Sequence, residues 1–373
     1  MKFLSFIILI LILQSCTISK FKHRKLEGTF PGISHELKTN PEIPKDIKIL
    51  IIHGIGQQTE DYANPFIHKL AHELGQDTPS IPKRDTMFFA PNKGKTFISE
   101  YQIGKNTITF YAIFWSDITQ PYRDQLKDNH DEFKGERAWV NNNIKKKVLN
   151  QNLIDFVLYT SNTFKKEIRR PVYETLNKIY EDNITVEKKY NSTKTMLMPS
   201  LEKKIFMISG SLGSKILLDV ISNYEVSSGE KRVQPEVQQY YKSQLKSIFM
   251  LSNQLPLLSL SYADPEYSPE KYVYQNYFGL CNFLEPKSTN KINLVSFYDP
   301  NDILGYNPIK NEPDCSLNDD CKNCGPRINR SRVIINNTRN IAGGFSNFEL
   351  AHTQVWDNNK VLNYIIKGTP EKK

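Results

Sequence analysis

Apolar positions along the chain fall into short continuous runs, separated by longer stretches in which they recur every three or four residues. Ile47 to Ile52 is broken only by Lys48, the pattern of a strand buried on both faces. Comparable runs occur at Thr107–Trp115, Lys204–Ser209, Leu245–Ser252, Ile292–Tyr298 and Arg332–Asn336. Between them the period changes to that of a helix, first around Asn64 to Leu74. From 117 to 200 a long polar stretch carries Leu149, Leu153 and Phe156–Val157, then Phe164, Ile168, Val172, Leu176 and Ile179 at helical spacing. Further helices are predicted over Ser214–Ile221 and Val355–Ile366. Strands alternating with helices predict an α/β chain, with a mostly parallel central sheet flanked by helices on both faces.

The N-terminus has a different pattern. Lys2 is followed by an apolar run from Phe3 to Leu13, interrupted only by Ser5 and ending in Leu13-Gln14-Ser15-Cys16. The run is too short to span a bilayer but suits the core of a secretory signal. It resembles a bacterial lipoprotein signal. That resemblance implies cleavage before Cys16, lipidation of its sulfur and new amino group with palmitate-like chains, and a stable membrane anchor. Thr17 stands where an aspartate would favour the inner membrane, so the expected location is the cell envelope, with the outer membrane favoured over the inner, facing the periplasm or the exterior. The expected division is a signal over 1–15, a polar tether over 16–46 and one domain over 47–368. Within that domain 117–200 is a helical insertion and 311–327 a cysteine-containing loop.

Composition narrows the partners. The formal charge is +9, and removing residues 1–15 takes away one lysine and no acid. Such an excess suits an anionic lipid surface or an acidic substrate, and equally a plain lysine-rich surface. No zinc finger, basic zipper or aromatic RNA-binding signature points to nucleic acid. With Cys16 assigned to lipid, Cys281, Cys315, Cys321 and Cys324 remain as disulfide candidates in an oxidising compartment, with three possible connectivities. Cys321-x-x-Cys324 also has zinc-ligand spacing, but a second close pair is missing, so no metal or cofactor is assigned.

The chemistry centres on Ser209-Gly210-Ser211-Leu212-Gly213, between an apolar strand and a helix. A serine among small residues at such a junction lies on a sharp turn beside a helix N-terminus, which suits a nucleophile. Three other motifs each follow a predicted strand: His53-Gly54-Ile55-Gly56, Asp299-Pro300-Asn301-Asp302 and Ala351-His352-Thr353. Together they resemble the α/β-hydrolase superfamily, in its lipase and esterase branch, over about 47–366. The resemblance implies Ser211 as nucleophile, His352 as general base and Asp302 as the acid, with Asp299 as the alternative acid. It also implies an oxyanion hole from the backbone of Leu212 and of Gly54 or Ile55, with His53 structural. Ser209 departs from the Gly-x-Ser-x-Gly pattern at its first position. Asp219 is read as a helix-surface or loop-tethering residue.

The activity implied is cleavage of carboxylic esters through an acyl-enzyme, with an ester or lipid as substrate and no cofactor. The alternatives are a non-catalytic lipoprotein of the same fold that binds a lipid or a protein, and an acyltransferase using the same serine. Lys145-Lys146-Lys147, Lys165-Lys166 and Arg169-Arg170 flank the insertion's apolar positions. This arrangement suits either a membrane-meeting lid or a solvated face over a packed helical pair.

Overall fold

The computed structural model describes residues 26–75, 83–89, 93–192 (apart from 133, 137, 139, 140, 143 and 144), 202–223, 230–259, 291–306, 328–337 and 348–370. The expected signal over 1–15, the loop 311–327 and all the cysteines (Cys16, Cys281, Cys315, Cys321 and Cys324) lie outside the described residues.

The strands are β1 (Lys45–Ile52), β2 (Lys83–Phe88), β3 (Lys95–Ile103), β4 (Asn106–Phe114), β5 (Glu202–Gly210), β6 (Leu245–Leu251), β7 (Ile292–Tyr298) and β8 (Ile328–Ile334). They form one sheet in the order β2-β3-β4-β1-β5-β6-β7-β8. From β4 to β8 every neighbour pair is parallel, while β3 is antiparallel to both β2 and β4. The hydrophobic pattern did not predict β2 and β3. They form the antiparallel edge, where β2 is mostly polar (Lys-Arg-Asp-Thr-Met-Phe) and β3 is only half-buried.

The helices are α1 (Ile33–Lys38), α2 (Asn64–Glu73), α3 (Ser116–Glu132), α4 (Ile154–Thr160), α5 (Asn162–Ser192), α6 (Leu212–Ile221), α7 (Pro235–Gln244), α8 (Leu255–Ser259), α9 (Phe348–Thr353) and α10 (Asn359–Lys367). A π-helical stretch, Lys145–Leu153, leads into α4. Alternate residues of each central strand feed two cores, one on each face of the sheet. Leu50, Ile52, Met207 and Met250 join Ile168, Val172, Leu176 and Ile216 on one face. Ile49, Ile51, Ile208 and Leu251 join Ile33, Phe66, Leu70 and Ile365 on the other. Continuous apolar runs, rather than alternating ones, are what a strand covered on both faces requires.

Two expectations change. The tether ends earlier than 46, because Leu26 onward is built into the domain. Glu27 forms an antiparallel bridge to Arg332, Pro31 bridges to Gly368, and Phe30 packs near Phe249 and Tyr364. Phe30 and Ile33 are buried apolar anchors of this segment, with Leu26 and Leu37 packed partly buried against the same core. The insertion between β4 and β5 is helical, but its basic residues do not all form a solvated face, since Lys165 and Arg169 are buried. Ile168, Val172, Leu176 and Ile179 of α5 have no exposed surface, so this stripe closes the sheet's face and belongs to the core. Among the described residues no helix is long and apolar enough to cross a membrane.

Candidate active site

The carboxyl ends of β1, β5, β7 and β8 converge on one edge of the sheet, where parallel strands leave a crevice for chemistry. β5 ends at Gly210 and α6 begins at Leu212, so Ser211 is the single residue that reverses the chain. It does so at φ 50° and ψ −126°, a left-handed conformation that costs a non-glycine residue about 1–3 kcal/mol. The surroundings hold it there. Its N–H donates to the Leu251 carbonyl at 2.8 Å, and its carbonyl accepts from the N–H of Ser214 at 3.1 Å. Ser209, at the position where the common motif has glycine, places its hydroxyl 3.0 Å from that of Ser214 and so braces the turn from inside. Two glycines allow the close approach. A Cβ on Gly54 would lie 2.4 Å from the Cβ of Ser211, and one on Gly213 would lie 2.4 Å from the His53 carbonyl oxygen.

His352 lies in α9, with Nε2 3.0 Å from Ser211 Oγ and Nδ1 2.8 Å from Asp302 Oδ2. The final helix begins at Asn359, later than the pattern suggested, because Asn358 caps it by accepting from the N–H groups of Lys360 and Val361. Asp302 is buried, and its other oxygen accepts from the N–H of Leu304 at 3.0 Å. Asp299, the alternative acid, faces elsewhere. It accepts from the N–H groups of Asn301 at 2.9 Å and Asn337 at 2.6 Å. Asn337 in turn donates to the Ala351 carbonyl at 2.8 Å and accepts from Asn358 at 2.7 Å. Asp299 thus belongs to a backbone brace behind the helix that carries His352. Asn337 had no sequence signal, since only its place across from Asp299 and Ala351 gives it a role.

The loop after β1 brings Gly54 against Ser211, while Leu212 occupies the first position of α6, where a backbone N–H has no partner within the helix. His53 is buried, stacked on Trp115 at 4.7 Å and edge-on to Tyr62 at 4.9 Å. Its Nδ1 lies 2.8 Å from the Gly54 carbonyl and its Nε2 accepts from the Trp115 N–H at 3.1 Å. One nitrogen must therefore donate and the other accept, which is the neutral Nδ1–H tautomer. Burial, helped by the charge of Arg123, holds its pKa down from 6.5 to about 3. Pinning the Gly54 carbonyl fixes the plane of the Gly54–Ile55 peptide, so the Ile55 N–H points away from the imidazole.

Asp219 is buried on α6, not on its surface. It is shared by Lys215 of the same helix, by Arg169 at 2.6 Å and by the Tyr159 hydroxyl at 2.7 Å. Burial pushes its carboxyl pKa up, but Lys215 and Arg169 together outweigh this and leave it below the usual range. The cluster ties the helix that follows Ser211 to the insertion. Among the described residues no group of His, Cys, Asp and Glu is arranged to hold a metal ion.

Compared with known proteins, the chain matches no family model and no curated sequence. Among solved structures it aligns with a dienelactone hydrolase from Anabaena variabilis ATCC 29413 at 9% identity and a TM-score of 0.32, covering 87% of this chain and 89% of that one. It also aligns with a protein described as a cell surface hydrolase from Lactobacillus plantarum WCFS1, at 10% identity and a TM-score of 0.33, covering 87% and 92%. These likenesses are too low to bear on activity. The chain's own topology carries the fold assignment: a mostly parallel eight-stranded sheet, helices on both faces, a helical insertion before β5, and a strand–serine–helix turn at the centre. This is the α/β-hydrolase fold.

Proposed function

We propose that the protein is a serine hydrolase of carboxylic esters, acting on a lipid or other acyl ester. The observation that carries this reading is the unbroken hydrogen-bonded line Ser211 Oγ–His352 Nε2 at 3.0 Å and His352 Nδ1–Asp302 Oδ2 at 2.8 Å, with the serine on a strained turn. In this reading Ser211 Oγ attacks the ester carbonyl carbon while His352 Nε2 takes its proton. Asp302 holds the imidazole in its tautomer and stabilises the imidazolium. The tetrahedral oxyanion is met by the N–H of Leu212 and one from Gly54 or Ile55. Collapse expels the alcohol, protonated by His352, and leaves an acyl-enzyme that His352-activated water hydrolyses. A panel of short- and long-chain p-nitrophenyl esters and phospholipids, run on wild type and Ser211→Ala, tests this. Equal turnover by the two proteins would remove the serine mechanism, as would failure of a fluorophosphonate to label Ser211.

We further propose that the enzyme works at a membrane surface in the cell envelope, anchored through acyl chains on Cys16. The support is the sequence from Lys2 to Cys16. Incorporation of labelled palmitate into wild type, and its loss in Cys16→Ala, is the expected result.

A further inference from the structure

The helical insertion reaches the oxyanion loop through one buried ion pair. Asp155 of α4 and Arg123 of α3 are both almost fully buried and meet at 2.6 Å. Asp155 uses its other oxygen to accept from the Gly56 N–H at 2.7 Å. The Arg123 guanidinium also donates to the Thr119 hydroxyl at 2.7 Å, to the Ser116 hydroxyl at 2.6 Å and to the Ser116 carbonyl. Ser116 completes the ring. Its hydroxyl donates to the Gly56 carbonyl at 3.4 Å and accepts from the Gln58 N–H at 3.2 Å. The backbone of 54–58 is thus held at three successive points: His53 on the Gly54 carbonyl, Asp155 and Ser116 on the two sides of Gly56, and Ser116 on Gln58. Burial raises the Asp155 pKa, and the Arg123 charge opposes that rise.

We infer that Asp155, clamped by Arg123, is a positioning residue that holds the loop 54–56 in register against Ser211, so that the insertion sets where the oxyanion donors point. This rests on the ester-hydrolase reading above. A buried ion pair is a costly way to satisfy one backbone N–H. The cost is understandable where a glycine-rich loop must be held to a fraction of an ångström, since a donor displaced by about 1 Å loses about a hundredfold in rate.

The test compares wild type with Asp155→Asn, which keeps the side chain's shape, and Arg123→Lys, which keeps the charge but not the fork. Three readouts are taken: kcat and KM on a p-nitrophenyl ester per fluorophosphonate-titrated serine, affinity for a trifluoromethyl ketone that forms a tetrahedral oxyanion, and amide exchange of residues 53–58. The expected result is a kcat lower by about tenfold to a hundredfold, KM within about twofold, ketone affinity weakened by a factor similar to that for kcat, and faster exchange at 53–58. Unchanged kcat per titrated serine, with unchanged ketone affinity, overturns the inference even if less folded enzyme is recovered. Should Asp155→Asn fail to fold, Ser116→Ala removes one hydroxyl from the same ring and is judged by the same readouts. If wild type turns over no ester, the hydrolase reading falls, and the exchange measurement alone decides whether Asp155 holds the loop.

Discussion

Acidification within the mildly acidic range should weaken this fold through one imidazole. His53 is 1% exposed, enclosed by Trp115 and Tyr62 and held between the Gly54 carbonyl and the Trp115 N–H. Burial is the main reason its pKa falls from 6.5 to about 3, the Gly54 carbonyl raising it somewhat and Arg123 lowering it further. The unfolded chain therefore takes up a proton near pH 6.5 that the folded chain refuses until about pH 3. The folded state is favoured in full above the unfolded value and loses ground as pH falls through that window. At about 1.36 kcal/mol per pH unit, the loss from this residue is ~2 kcal/mol between pH 6.5 and 5, and ~5 kcal/mol by pH 3. The first figure alone is a sizeable share of a typical stability of about 5–15 kcal/mol. Urea unfolding of wild type and His53→Gln at pH 7, 6 and 5 isolates the effect. The variant is expected to be less stable at pH 7, having lost the stacked ring, but its decline towards pH 5 should be smaller by ~2 kcal/mol. Parallel declines would show that the imidazole protonates freely in the folded protein. They would refute the neutral tautomer that fixes the Gly54–Ile55 peptide.

Four further outcomes are expected. Asp302→Asn should lower kcat on a p-nitrophenyl ester by about a thousandfold or more with little change in stability, because it leaves His352 in the wrong tautomer. Asp299→Asn should act mainly on thermal stability, and a larger kcat loss at 299 would reverse the assignment. Asp219→Asn removes the carboxylate shared by buried Lys215 and Arg169 and should cost about 3–5 kcal/mol at neutral pH by urea unfolding. Because the Asp219 pKa is depressed, its contribution is present above the unfolded value of 3.8 and is lost as pH falls through the folded one. Gly213→Ala would drive a Cβ to 2.4 Å from the His53 carbonyl, a backbone atom that cannot swing aside. Loss of soluble folded protein, or of activity in what remains, is expected, and a fully active, stable variant would mean the β1 loop lies elsewhere.

Sequence and structure part company over what is local. The buried parallel strands were legible because a strand covered on both faces writes a mostly apolar run without strict alternation. Ile47–Ile52 and Leu245–Ser252 need no knowledge of their neighbours to be recognised. The turn at Ser211 was legible for a similar reason, since small residues between a strand and a helix are a local steric demand. The antiparallel strands β2 and β3 were not, because half-buried strands tolerate the polar residues that hide them. Nor was the docking of 26–46, where a few scattered apolar residues, Phe30 and Ile33 with Leu26 and Leu37, place a largely polar segment.

The sequence by itself determined an α/β chain with serine, aspartate and histidine candidates following separate strands in a usable order. Only the tertiary structure separates Asp302 from Asp299, three residues apart in one loop, by turning the first towards His352 and the second towards Asn337. Only it joined Asp155 and Arg123 to the Gly56 backbone, and Asp219 to Lys215 and Arg169. The physical reason is range. Periodicity and turn sterics act over a few neighbouring residues, whereas the partner of a buried charge is whatever the folded sheet brings within about 3 Å of it.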